Sequence, residues 1–143
     1  MDHIDRHIVL ALQRDARTPY AVLARDVGLT APAVADRIRK LEAAGVILGY
    51  HAAIDPGKAG RPLVALARIV TAPDHLRAEE LVAFCRTSPD VQELHRTAGT
   101  EDFTAYVTTA SVETLETLVT ALSRYGPTTT SIVLSTPVIR REI

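Results

Sequence analysis

The sequence predicts an α+β protein in two parts: three short helices, then a βαββαβ alternation. Apolar residues recur with helical period from Ile4 to Leu41, punctuated by Thr18-Pro19 and Gly28. The cluster Asp55-Pro56-Gly57-Lys58-Ala59-Gly60-Arg61-Pro62 holds two prolines and two glycines in eight residues and marks a linker. Beyond it, apolar and β-branched runs alternate with two stretches of helical spacing.

The first helix runs from a cap at Asp2 to about Arg14, with Ile4, Ile8, Ala11 and Leu12 on one face. Thr18 reads as the next N-cap and Pro19 as the first helical residue, where a missing N–H costs nothing. Tyr20, Leu23, Ala24 and Val27 line that second helix, and Gly28 ends it because glycine adopts the left-handed turn readily. Thr30 caps a third helix to about Ala44, on which Val34, Ile38 and Leu41 share one face. Pro32, Asp36, Arg39 and Ala43 then point the opposite way, flanked by Arg37 and Lys40. A start of small residues, Ala31, Ala33 and Ala35, with basic groups further along suits close approach to a DNA groove. A solvated helix in a plain αα-corner shares the same periodicity, so spacing alone leaves both readings open. The run VILGYHAAI, 46–54, is expected to form two short strands, a wing. Three helices plus a wing make a winged helix-turn-helix over residues 1–54, with 55–62 as hinge.

In residues 63–143, Leu63 to Val70 is an apolar strand interrupted only by Arg68. Ala78, Leu81, Val82 and Cys85 mark a helix, Val91–Thr97 and Phe103–Thr109 two strands, and Val112 to Leu122 a second helix closed by Gly126-Pro127. Thr130–Thr136 is the expected last strand. This order is the ferredoxin-like one, with both helices on one face of a four-stranded antiparallel sheet. Because the first strand is apolar on both faces, a second copy is expected to cover the open one, giving a homodimer.

At 143 residues and 47% apolar content the chain has enough material for packed cores. Its net charge of −1 excludes binding to nucleic acid through bulk charge and calls for a local basic face. Residues 1–60 carry eight Lys and Arg against seven Asp and Glu, and 61–143 eight against ten, a slight tilt toward the first part. The single cysteine, Cys85, allows no internal disulfide and fits a reducing compartment; with no signal segment or membrane span expected, a cytoplasmic protein follows.

Four motifs, Leu10–Asp15 (LALQRD), Val27–Thr30 (VGLT), Asp36–Glu42 (DRIRKLE) and Gly45–Tyr50 (GVILGY), resemble in order and spacing those of the Lrp/AsnC (feast/famine) regulators. Gly99-Thr100-Glu101-Asp102-Phe103 resembles that family's Gly-x-x-Asp-aromatic loop, and the ending Ser135-Thr136-Pro137-Val138 is similar to its last strand. The resemblance implies a winged-helix DNA-binding domain hinged to an amino-acid-sensing domain that pairs into dimers and assembles to tetramers or octamers. It implies double-stranded DNA as partner, contacted from Thr30, Ala31, Pro32, Ala33, Asp36, Arg37, Arg39 and Lys40. It further implies a small effector, an amino acid, between neighbouring dimers near Gly99, Thr100, Glu101, Asp102, Phe103, Ser135 and Thr136. An aspartate suits an α-ammonium, while loop amides and hydroxyls suit an α-carboxylate. That loop also reads as a plain hairpin connection whose Asp102 caps its own backbone. Ala31-Pro32-Ala33 departs from relatives with a more polar helix start, which leaves base readout to Arg39 and to DNA shape.

His3 and His7 are four apart, yet no third ligand stands near, so no metal site is expected. No nucleophile elbow, Cys-His pair or phosphate loop occurs; no catalytic residues and no cofactor beyond the effector are expected. Arg140-Arg141 reads as a solvated tail. Two alternatives come from other classes. One is an architectural DNA-binding protein indifferent to ligand. The other is an enzyme resembling haem-precursor decarboxylases, with His95 in a comparable place, against which stands the complete lack of tryptophan.

Overall fold

The computed structural model describes residues 1–71, 75–138 and 142, and the chain divides into two units, Met1–Ala53 with Val138–Ile143, and Ile54–Pro137. Arg140 and Arg141 lie outside the described residues.

The first unit holds α1 (His3–Arg14), α2 (Tyr20–Val27) and α3 (Ala31–Ala43). Asp2 and Asp5 cap α1 reciprocally: the Asp5 N–H donates to Asp2 Oδ1 at 2.8 Å and the Asp2 N–H to Asp5 Oδ2 at 3.1 Å. Thr18 does not cap α2. Its hydroxyl donates to the Asp15 carbonyl at 2.7 Å, using an acceptor near the end of α1, and α2 starts one residue later with Pro19 in the cap position. Gly28 takes the left-handed conformation at φ 69°, and the Leu29 N–H returns to the Ala24 carbonyl, which turns the chain into α3. Ile8, Leu23, Val34 and Ile38 are the fully buried centre of this unit, with Leu12, Ala24 and Leu41 around them.

The expected wing does not form: residues 46–54 contain no strand. Ile47 packs on the core, and the Tyr50 hydroxyl donates to Glu42 Oε1 at 2.8 Å, so the segment is drawn against α3 instead of folding on itself. Val46, Leu48, Tyr50 and Ile54 nevertheless leave large apolar side chains exposed, Leu48 at 91%.

In the second unit, β1 (Leu63–Ile69), α4 (His75–Thr87), β2 (Val91–Arg96), β3 (Phe103–Thr109), α5 (Val112–Leu122) and β4 (Thr128–Ile132) follow in βαββαβ order. The sheet runs β2-β3-β1-β4 with every pair antiparallel, the ferredoxin-like arrangement. Ala65, Ala67 and Ile69 of β1 and Phe103, Ala105 and Val107 of β3 form the face packed on Leu81 and Cys85 of α4 and Leu115, Leu118 and Leu122 of α5. Val64, Leu66 and Arg68 point to the other face and are only half-buried.

The last strand begins and ends earlier than the spacing predicts. Its register pairs Ile69 with Thr128 and Ala65 with Ile132, and the Val133 N–H still reaches the Val64 carbonyl. The ladder ends at Ile132 opposite Ala65; continued to Thr136, the register would set Ser135 opposite Pro62, which has no N–H to donate, so a strand reaching Thr136 has no full partner in β1. Segment 55–62 belongs to the second unit and is a closed turn. Asp55 Oδ1 accepts from the Gly57 and Lys58 N–H groups, and Arg61 donates to the Thr108 carbonyl and hydroxyl and pairs with Asp90.

Gly126 carries the turn into β4. A Cβ there would sit 2.0 Å from the Val70 carbonyl oxygen, while the Val70 N–H is bonded to the Pro127 carbonyl, so neither partner is free to shift. Gly126→Ala is expected to destabilise the protein by about 1–3 kcal/mol in urea unfolding. An unchanged midpoint would contradict this close approach.

Candidate nucleic-acid interface and ligand loop

Seating α3 by Val34, Ile38 and Leu41 turns Pro32, Asp36, Arg39 and Ala43 outward. Thr30 spends its hydroxyl on the helix, accepting from the Ala33 N–H at 3.4 Å. Ala31 is half-buried against the core, Ala33 is half-buried, and Pro32 is exposed, so the helix start offers a smooth, hydrogen-bond-poor surface.

The three basic side chains of α3 fall into two groups. Arg39 and Lys40 are exposed and both face Asp36, Lys40 Nζ at 2.8 Å and Arg39 Nη2 at 3.5 Å. Lys40 chiefly, then Arg39, holds the Asp36 carboxyl below its ordinary value, so it is ionised at neutral pH. Arg37 points away from the outward stripe. Its Nη1 lies 2.7 Å from both Asp2 Oδ2 and Asp5 Oδ1, joining α3 to the capping carboxylates of α1. Sequence spacing shows Asp2 only as a cap; its second role depends on a partner 35 residues away that no local pattern exposes. A cleft of about 540 Å³ bordered by Asp5, Ala33, Arg37 and Lys40 lies beside this joint. Tyr50 is pushed up to about 12, first by burial and then by its bond to Glu42, and stays a neutral donor at the end of α3.

In the second unit the 97–102 loop closes the β2–β3 hairpin. The Thr97 N–H donates to the Asp102 carbonyl at 2.8 Å, the Thr97 hydroxyl to the Glu101 carbonyl at 2.7 Å, and the Asp102 N–H to the Ile69 carbonyl at 3.1 Å. The Asp102 carboxylate does not cap its own backbone; Oδ2 accepts from the Thr71 hydroxyl at 3.0 Å, a partner the sequence gives no signal for. Gly99 and Thr100 are exposed, the Thr100 hydroxyl donates to Glu101 Oε2, and no hydrogen bond among the described residues uses the Gly99, Thr100 or Glu101 N–H. Phe103 is buried as the first residue of β3, with the Arg96 guanidinium 5.9 Å above its ring. Ser135 and Thr136 are exposed and lie beyond β4, not on it. Phe103 pairs with Ile69, whereas Ser135 falls toward Pro62, seven residues away along β1 and about 23 Å at ~3.3 Å per residue. One chain therefore does not bring Ser135 and Thr136 to the loop.

An open cleft of about 830 Å³ runs between α4 and the edge strand β2, bordered by Val82, Arg86, Leu94, Arg96 and Phe103. Burial pushes the Cys85 thiol beside it up to about 11, so it stays protonated and acts as core. Among the described residues no three His, Cys, Asp or Glu side chains gather as a metal site, and no helix is long and apolar enough to cross a membrane.

A helix-turn-helix with an outward basic helix, followed by a ferredoxin-like unit, defines a DNA-binding regulator of two domains. Comparison with known proteins places it more closely. Residues 1–42 match the AsnC-type helix-turn-helix domain and residues 64–143 the Lrp/AsnC ligand binding domain, and the chain belongs to the Lrp/AsnC family of transcriptional regulators. It is 38% identical over 135 residues to YezC of Bacillus subtilis, named an uncharacterized HTH-type transcriptional regulator, covering 94% of each chain. The solved structure of LrpC from the same bacterium superposes with a TM-score of 0.89 at 27% identity, covering 98% of this chain and 99% of that one. The regulator NMB0573 of Neisseria meningitidis, solved as a complex with L-Met, shares the fold with a TM-score of 0.91 at 24% identity, covering 100% and 96%.

The joint at Arg37 has a pH signature. The Asp5 N–H, then the Arg37 guanidinium, hold the Asp2 carboxyl at about 2 in the folded protein, below its ordinary 3.8. A depressed carboxyl stabilises the fold above its unfolded pKa and loses that contribution as pH falls through the folded one. Asp2→Ala is therefore expected to lower the melting temperature at pH 7, with the gap to the parent narrowing as pH drops from about 4 to about 2. A gap independent of pH would contradict the assignment.

Proposed function

We propose that this chain binds operator DNA as a dimer in the cytoplasm, placing one α3 in each of two successive major grooves roughly 34 Å apart. The observation that carries this is the outer face of α3, where Arg39 on the outward stripe and Lys40 beside it have side chains exposed at 71% and 76%, next to a smooth helix start. Arg39 is assigned to a base edge and Lys40 to a phosphate, with Thr30, Ala31, Pro32 and Ala33 in van der Waals approach to the groove. Arg37 holds the angle between α1 and α3 and contacts DNA only at the cost of its pairs with Asp2 and Asp5. The protein works by binding alone, without a catalytic step or a cofactor other than its effector.

Two features support a dimer. Among the described residues the sheet face bearing Val64 and Leu66 has no helix over it, and Val46, Leu48, Tyr50 and Ile54 leave large apolar side chains exposed along residues 46–54. The effector we propose is an amino acid held between chains, which changes DNA affinity or drives assembly to tetramers or octamers. Asp102 keeps one carboxylate oxygen for an α-ammonium, and the loop N–H groups with Thr100 meet the α-carboxylate. Glu101 and Phe103 shape the loop, and Ser135 and Thr136 come from a second chain, since their own stand too far off. The L-Met bound to the fold neighbour from Neisseria meningitidis supports this ligand class.

Two experiments test the reading. In DNA-binding titrations across salt, Arg39→Ala is expected to cost about 1–3 kcal/mol, and Lys40→Ala to reduce the salt slope by about 1. If neither change moves binding, α3 is not the reading helix. In a screen of the twenty standard amino acids, one is expected to shift melting temperature or oligomer size, and Asp102→Ala to abolish the shift. No response to any of them would remove the support for an amino-acid effector.

A further inference from the structure

Of the four residues on the outward stripe of α3, Pro32 and Ala43 carry no side-chain hydrogen-bonding group, which leaves Asp36 and Arg39 to read base edges. Asp36 sits between the two ends of that stripe, half exposed, with Lys40 Nζ 2.8 Å from Oδ2 and Arg39 Nη2 3.5 Å from Oδ1. Arg37 is engaged by Asp2 and Asp5, so all three cations of α3 face a carboxylate. A duplex entering this surface meets an acid at the centre of the contact, one turn of helix from the nearest basic groups. A phosphate competes with Asp36 for Lys40 and a base edge for Arg39, and the carboxylate they uncover is repelled by the DNA unless a base donates to it. In the major groove, a carboxylate pairs with the N4 amino group of cytosine.

We propose that Asp36 is a specificity-determining residue, which penalises binding to arbitrary duplexes and is satisfied where a half-site presents a cytosine amino group. The proposal rests on α3 being the reading helix. Within that frame the acid does two things at once. It restrains Arg39 and Lys40, so that sequence-independent attraction to phosphate stays low, and it converts one position of the half-site into a requirement. A DNA-binding surface drawn from a chain of net charge −1 then depends on a matched base for part of its affinity.

The test is in vitro selection by the full-length protein from a pool of duplexes with a randomised central segment, followed by titration of the selected and unselected pools. The parent is expected to enrich a cytosine at one position of each half-site. Asp36→Ala is expected to lose that preference and to bind the unselected pool about tenfold more tightly, with a steeper salt dependence. Asp36→Asn, which presents an acceptor and a donor without charge, is expected to shift the enriched base from cytosine to adenine. Glu116→Ala on α5, an exposed acid of the other unit, controls for loss of one negative charge. Identical enrichment by the parent and both Asp36 variants, with affinity gains no larger than that of Glu116→Ala, would overturn the role of Asp36 while leaving α3 as the reading helix. Failure of the parent to bind any duplex, even at low salt, would overturn the reading helix itself and this role with it.

Discussion

The rotation of α3 about its own axis decides what this protein presents to DNA, and Val34, Ile38 and Leu41 set that rotation by filling the core between α1 and α2. A shift of one residue would turn the helix by about 100° and bring a different set of side chains outward. Large-to-small changes at fully buried sites such as Ile38 disturb both packing and seating, because a close-packed interior leaves no slack for the helix to return to its angle. The bridge from Arg37 to Asp2 and Asp5 reinforces the same angle from the outside. Exposed pairs of this kind contribute little to overall stability, but this one spans two helices and constrains their geometry.

The second unit distributes its candidate ligand groups in a way that bears on assembly. The Gly99–Phe103 loop sits where β1 ends, and Ser135 and Thr136 sit where β1 begins, on opposite sides of a seven-residue strand. In the proposed reading, a ligand touching both sets needs two chains, which would tie effector binding to oligomerisation. The proposed dimer would also cover the exposed apolar side chains of Val46, Leu48 and Ile54 and the face of β1 that bears Val64 and Leu66.

Much of this architecture is legible in the residues. The periodicity of Val34, Ile38 and Leu41 identifies the buried face of α3, and the β-branched and aromatic run from Phe103 to Thr109 matches β3 at both ends. Local patterns fall short where a distant partner decides the outcome. VILGYHAAI has strand propensity, yet Ile47 packs on the helical core and Tyr50 bonds to Glu42, and no strand forms there. β4 ends at Ile132 opposite Ala65, and its expected continuation to Thr136 would run past the start of β1 to Pro62, a fact of register and not of its own composition. Thr18 has the chemistry of a cap, but the helix starts one residue later and its hydroxyl donates to the Asp15 carbonyl. In the candidate sites, the outward stripe of α3 follows from spacing alone. The pairings of Arg37 with Asp2 and of Asp102 with Thr71 span 35 and 31 residues and emerge only from the folded chain.

The central claim, that the outward stripe of α3 enters the major groove, is tested most directly by dimethyl sulfate protection on a selected duplex, because the reagent methylates guanine N7 in the major groove and adenine N3 in the minor groove. The account predicts protection of guanine N7 in two patches about one helical turn apart on one face of the DNA. Protection confined to adenine N3, with guanine N7 freely methylated throughout, would contradict it.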